Sequence, residues 1–143
     1  MVKVFVDTNV LVDFFASERD YYMSAAELLT LILNNTVEAA LTTQSILDTA
    51  YVCRKYASFN MDFFKERIRH LLLRTNVTYI DAFQLGDALE DPHPDIEDNA
   101  QICCAYSEGC DVFLTNDKGV LSRKMPSPMQ VMTPAAFLAR CRA

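Results

Sequence analysis

A chain of 143 residues, half of them apolar and with only three glycines and five prolines, fits one packed domain and excludes the disordered and fibrous classes. Its net charge of −6 excludes a protein that holds nucleic acid by bulk charge, since such a protein is basic. Lys3, Asp7, Asp13, Glu18, Arg19 and Asp20 argue against a signal peptide at the start, and no apolar run reaches the ~20 residues of a membrane span.

In chain order, residues 2–6 (VKVFV) read as a buried strand that stops at Asp7. A short helix follows over 10–15, and a strongly apolar helix over 24–33 ends at Asn34-Asn35. Residues 37–41 read as a second strand, after which Thr42 or Thr43 caps a helix running to about Tyr56. The helix over 61–73 places Phe63, Phe64, Ile68, Leu71 and Leu72 at core spacing. A strand over 77–80, a short helix over 83–89 and a turn-rich stretch at Asp91-Pro92-His93-Pro94 come next. The last part holds a helix over 96–107 ended by Gly109, a strand over 112–114, a polar loop over 115–119, an edge strand over 130–132 and a closing helix over 134–140. Strands alternate with helices throughout, without a repeat or linker. The fold expected is therefore α/β, one domain over 1–143 with a central parallel sheet flanked by helices. In such sheets ligands bind beyond the carboxyl ends of the strands.

Cys53, Cys103, Cys104, Cys110 and Cys141 form an odd set with no CxxC pair, and His70 and His93 stand alone. This pattern reads as reduced thiols of a cytoplasmic protein with no zinc site. The charge is uneven: residues 81–98 carry seven acids and no base, while Lys118, Arg123, Lys124, Arg140 and Arg142 follow Asp117 with no further acid. An acidic focus flanked by bases suits a metal site with phosphate-binding rims, and an ordinary solvated surface accounts for it equally simply.

Polar clusters stand where the strands end. Asp7-Thr8-Asn9 follows the first strand and Thr115-Asn116-Asp117 follows the strand over 112–114. Asp48 lies just inside the helix after the second strand, and Asp95-Ile96-Glu97-Asp98 opens the helix over 96–107. Each has a structural explanation as a helix cap, a turn or a surface residue. Together they ask for more. Asp98 shares a stripe with Ile102 and Ala105 and so faces the sheet. Two partly desolvated carboxylates about 4 Å apart repel by roughly 4 kcal/mol at an effective dielectric near 20. No Lys or Arg lies within five residues of Asp98. A divalent cation is the natural counter-charge, and an all-oxygen set favours Mg²⁺, Mn²⁺ or Ca²⁺ over zinc.

The stretches VFVDTNVLVDFF, LTTQSILDTAYVCRKY, DIEDNAQICCAYSEGCDVFLTND and VMTPAAFL resemble, in order and over nearly the whole chain, those of PIN domains, and within that family the VapC-like toxin ribonucleases. The resemblance implies metal-assisted hydrolysis of RNA phosphodiester bonds with Mg²⁺ or Mn²⁺. It implies catalytic and metal-binding roles for Asp7, Asp48, Asp98 and Asp117, with Thr8, Asn9, Thr115 and Asn116 as polar supports. Asp95 becomes a supporting or capping residue, and Glu97, about 100° around the helix from Asp98, is expected to face solvent. One departure is Asp48, where these proteins often carry Glu. Arg54, Lys55, Lys118 and Arg123 are candidates for RNA backbone contact. The implied partners are RNA, an antitoxin protein and a second copy of the chain, with no membrane. The helix over 24–33 carries more apolar surface than one core-facing stripe needs, so that helix or the closing one is expected to contribute to a homodimer, unless it is simply deeply buried. Two other readings stand beside the nuclease. One is a PIN scaffold that binds RNA or protein without cutting. The other is an aspartyl-phosphate receiver or phosphatase, which lacks here the acidic pair or the second Asp two residues after Asp7.

Overall fold

The computed structural model describes residues 1–143. Its elements in order are β1 (Lys3–Val6), α1 (Thr8–Phe15), α2 (Tyr22–Leu33), β2 (Glu38–Thr42), α3 (Thr43–Cys53), α4 (Met61–Arg74) and β3 (Asn76–Thr78). They continue with α5 (Ala82–Glu90), α6 (Ile96–Ser107), β4 (Val112–Leu114), α7 (Lys118–Leu121), β5 (Gln130–Met132) and α8 (Pro134–Arg142). The five strands form one sheet in the order β3-β2-β1-β4-β5, and every pairing is parallel. The α/β class and the flanked parallel sheet read from the sequence are what the chain adopts. No helix is long and apolar enough to cross a membrane.

Alternation along β1 sorts the core into two layers. Val4 and Val6 join a large cluster with Val10, Leu11 and Phe15 of α1, Leu28 and Ile32 of α2, Cys53 of α3, Leu71 of α4 and Phe137 of α8. Phe5 points the other way, stacks on Phe113 of β4 at 5.1 Å between ring centroids, and packs with Ile102, Cys104 and Ala105 of α6. Chain direction around the sheet reverses between β1 and β4, since β2 and β3 lie on one side of β1 and β4 and β5 on the other. Such a reversal opens a crevice beyond the strand ends. Register places Val6 opposite Leu114, so Asp7 and Thr115 emerge side by side at its floor.

Helix ends follow the sequence chemistry. Asn35, at φ 58°, and Gly109, at φ 72°, adopt the left-handed conformation that closes α2 and α6. Thr36 N–H then donates to Leu31 O at 2.9 Å and Cys110 N–H to Ala105 O at 3.1 Å, the wrap-around bonds that satisfy a helix's last carbonyls. Two sequence expectations need correction. Residues 118–121 form the short helix α7 in place of a continuous loop, because the Asp117 carboxylate accepts from Gly119 N–H at 2.8 Å and nucleates a turn. The surplus apolar residues of α2 are not an outer face. Leu28, Leu29 and Ile32 are buried, and Leu31 and Leu33 pack against the same cluster, because α1, α4 and α8 all lie against this helix.

Leu28→Ala therefore costs about 2–5 kcal/mol, as a fully buried leucine does. Urea unfolding measures the loss, and light scattering of the folded variant shows the wild-type mass.

Candidate functional site

Asp7 ends β1 and caps α1, and it is 7 % exposed. Its Oδ1 accepts Thr8 N–H at 2.7 Å. Its Oδ2 accepts the Asn9 amide at 2.9 Å and the Thr115 hydroxyl at 2.8 Å. Burial pushes its pKa above the ordinary aspartate value, these donors pull it back, and the nearby Asp117 charge pushes it up again.

The two strand-end tripeptides interlock. The Asn9 amide also donates to Thr115 Oγ1 at 2.9 Å, Asn116 N–H donates to Asn9 Oδ1 at 2.9 Å, and Asp117 N–H donates to Thr115 Oγ1 at 3.0 Å. Beneath them lies a residue the sequence reading left unassigned. Asp13 is fully buried. It accepts the Asn116 amide at 3.0 Å and pairs with Arg19 Nε at 2.6 Å, and Arg19 also donates to Tyr56 Oη at 2.9 Å. The second aspartate of DTNVLVD thus fixes the loop that carries Asp117. Its signal was present in the sequence, six residues after Asp7 on the apolar side of α1.

α6 delivers the remaining acids. Asp95 caps it, accepting Asp98 N–H at 2.9 Å. Asp98 has its pKa pushed to about 7 by burial first, then by the charges of Asp95, Asp7 and Asp117. Glu97 is raised by burial and by Asp48, Asp7 and Asp95. Although exposed, Glu97 lines the cleft of about 270 Å³ together with Asp7, Thr8, Asn9, Arg19, Asp98 and Asp117. Its exposure is as expected, and its place on the cleft wall is what the helical angle alone did not show. Asp48 is half-buried and close enough to raise Glu97, but it stands outside the residues lining that cleft. None of Asp7, Asp98 and Asp117 has an ion-pair partner. No three acids approach closely enough to form a ready-made cation cage.

The basic candidates separate. Arg54 and Lys55 line a hollow with Tyr51 and Val52, and Val52 also lines the acidic cleft. The Arg54 guanidinium lies over the Tyr51 ring, 4.4 Å from its centroid. Lys118 is exposed beside Asp117. Arg123 is not free: its side chain is 11 % exposed beside Asp91, and it donates to Asn99 Oδ1 at 2.5 Å. Asn99 in turn donates to the carbonyls of Ala88 and His93, so Arg123 ties α7 to the start of α6.

Two outcomes follow from these charges. Arg19→Met leaves the Asp13 carboxylate buried without its cation. The loss falls toward the low end of the roughly 3–5 kcal/mol for breaking a buried pair, because Arg19 is partly solvated, and denaturant titration measures it. The raised acids set a pH slope. A carboxyl whose folded pKa exceeds its unfolded value near 3.9 stabilises the fold below that value, and the contribution is lost as pH rises through the folded pKa of about 7. In EDTA the urea midpoint rises as pH is lowered from 8 to 5, and Asp98→Asn flattens the rise.

A family model described as a PIN domain matches residues 3–119. Ribonuclease VapC1 of Aquifex aeolicus is 29 % identical over 146 residues, covering 96 % of this chain and 94 % of that protein. Among solved structures, PAE2754 of Pyrobaculum aerophilum superposes with a TM-score of 0.62 at 19 % identity, over 99 % of this chain and 96 % of that one. A chain of a toxin–antitoxin complex from Klebsiella pneumoniae superposes with a TM-score of 0.62 at 17 % identity, over 92 % and 97 %. On the family match, and with this sheet order and strand-end cleft, the chain belongs to the PIN-domain family, with VapC-like proteins as its relatives.

Proposed function

We propose that the chain is a Mg²⁺- or Mn²⁺-dependent ribonuclease acting as the toxin of a toxin–antitoxin pair in the cytoplasm. The observation that carries the reading is the cleft itself. Asp7, Asp98 and Asp117 line it without a basic partner, and Asp98 is pushed to about 7 by burial and then by its acidic neighbours. Charge arranged at that cost calls for a cation, and a set of carboxylate oxygens without thiol or imidazole suits a hard one. Asp7, Asp98 and Asp117 would hold it, with Asp48 and Glu97 at the rim. A bound divalent ion supplies counter-charge to the acids and Lewis acidity toward a phosphate oxygen.

The rest of the reaction is this chain's own work. The bonds from Thr8, Asn9 and Thr115 favour the ionised form of Asp7 against its burial and fix the carboxylate in direction. The Asp13–Asn116 bond holds the Asp117 loop against α1. Arg54 over Tyr51, beside the shared wall at Val52, offers a cation and an exposed ring to an RNA strand entering the cleft. A ribonuclease relative and a structural neighbour from a toxin–antitoxin complex support the substrate and the antitoxin partner. The homodimer expected from α2 or the closing helix is kept as part of the proposal: with the apolar side of α2 covered within the chain, the exposed side of α8 is where a second copy would sit. A strictly monomeric mass at micromolar concentration removes that part.

Mn²⁺ at a hundred times its dissociation constant should raise stability by about 2.7 kcal/mol, read as a melting shift against EDTA. Identical melts count against the metal centre. Asp7→Asn and Asp98→Asn should each cost more than the roughly 10–100-fold that losing an outer supporting group costs, in cleavage of single-stranded RNA. Asp48→Asn should cost less, and Asp48→Glu should be tolerated. Full activity in either of the first two variants overturns the assignment.

A further inference from the structure

Two threonines stand at the strand ends, and hydrogen-bond accounting separates them. Thr115 Oγ1 is saturated: it donates to Asp7 Oδ2 and accepts from Asn9 and from Asp117 N–H. It is also fully buried, so it has nothing to offer a ligand. Thr8 lines the cleft and makes one side-chain bond, 2.7 Å to Ser45 Oγ.

The direction of that bond is set behind it. Ser45 Oγ accepts from the Thr42 hydroxyl at 3.0 Å and from the Gln101 amide at 3.0 Å. A hydroxyl oxygen has two lone pairs and one proton. With both lone pairs filled, Ser45 donates to Thr8 Oγ1. The Thr8 proton then has no acceptor inside the protein and faces the cleft. Thr42 does not take the serine's proton in exchange, since its hydroxyl is the donor to Ser45 Oγ, while its oxygen accepts Ser45 N–H at 3.1 Å. Gln101 fixes the polarity at a cost, because its Oε1 is buried with no partner. A core that keeps a half-satisfied amide behind a cleft keeps it for orientation.

We infer that the Thr8 hydroxyl is a hydrogen-bond donor to an anionic oxygen, of the phosphate class, bound in the acidic cleft, and that Ser45 and Gln101 are positioning residues that aim it. The inference rests on the phosphodiester reading for its substrate, but it concerns a donor that acts on any phosphate oxygen. A single donor among four acids is also selective: it rewards an anion only where a cation offsets the carboxylates, so phosphate and metal bind together.

The test uses the full chain and two probes. Inorganic phosphate is titrated in saturating Mg²⁺ and followed by backbone-amide NMR shifts, and a single-stranded RNA oligonucleotide is used for cleavage. Thr8→Val removes the donor at nearly constant shape and should weaken phosphate binding and lower kcat by about 10–100-fold, the loss of one bond to a charged group, with Mg²⁺ affinity near wild type and a lowered melting temperature, because the buried Ser45 hydroxyl loses its acceptor. Thr8→Ser should restore both. Gln101→Met should cause a smaller fall in kcat with KM little changed, since the hydroxyl remains but is no longer aimed. If the wild type binds phosphate through Thr8 yet cuts no RNA, the nuclease reading falls and the donor stands. If Thr8→Val binds phosphate and cuts as the wild type does, or if the wild type binds no phosphate with Mg²⁺ present, the inference is overturned. If Thr8→Val does not fold, Thr8→Ser against Thr8→Ala carries the same comparison.

Discussion

A buried carboxylate at the end of the central strand is the constraint on which the rest of this molecule depends. Asp7 sits where β1 leaves the sheet and where the order of strands reverses. A charge in that place cannot be left to water, so the chain surrounds it with donors from three directions: the first turn of α1, the Asn9 amide and the Thr115 hydroxyl. Each donor belongs to a segment that must then be held still. The interlocked bonds between residues 7–9 and 115–117 do this for the loop after β4. Asp13, pinned by Arg19 and Asn116, does it from below. The order around the cleft is a consequence of hydrogen-bonding one desolvated charge.

The same logic explains why acids that repel one another remain together. Asp98 is brought in by α6, whose position is fixed by packing on Phe5 and Phe113 on one side and by the Asn99–Arg123 clamp on the other. Neither restraint involves the cleft. The fold therefore holds the carboxylates near each other with apolar contacts and distant hydrogen bonds, and burial first, with their mutual repulsion added to it, raises the pKa values of Asp7, Glu97 and Asp98. A site strained in this way stores its tension as affinity for positive charge. The acids line one cleft without converging into a cage, which is how like charges of this number settle around a shared space.

Much of this was legible in the sequence because the signals were local. An apolar run broken by aspartate marks a strand end, and Asp7 and Asp117 were found that way. Helical spacing aimed Asp98 at the sheet. What stayed hidden depended on tertiary partners. Ser45 and Gln101 are ordinary helix residues by pattern, and only the meeting of α1, α3 and α6 makes them a hydrogen-bond relay. Arg123 looked like a free base because its buried partner Asn99 is 24 residues away. The apolar excess of α2 suggested an interface because sequence shows how much of a helix is apolar, not how many neighbours cover it, and here α1, α4 and α8 do so. Glu97 is exposed as its angle around the helix implies, and that angle could not show that the cleft wall extends to it.

On the proposed ribonuclease reading, a protein of net charge −6 would have to take a polyanion at its most acidic point. Bulk attraction is absent, so the usual salt-driven release of counterions from many lysines and arginines supplies little. With Arg123 committed to structure, the bases beside the cleft reduce to Arg19, which is half spent on Asp13, to Lys118 next to Asp117, and to Arg54 and Lys55 across Val52. Few positive charges near many negative ones make binding conditional. An RNA strand gains from the arginine over Tyr51 and from the Thr8 donor only after a cation has cancelled the acids, since otherwise every phosphate brought near Asp7 and Asp98 meets carboxylate at short range. On the proposed reading the acidic surface would work as a lock that divalent metal opens. It also ties any RNA affinity to the same carboxylates that would do the chemistry, so binding without metal is the behaviour this arrangement disfavours most.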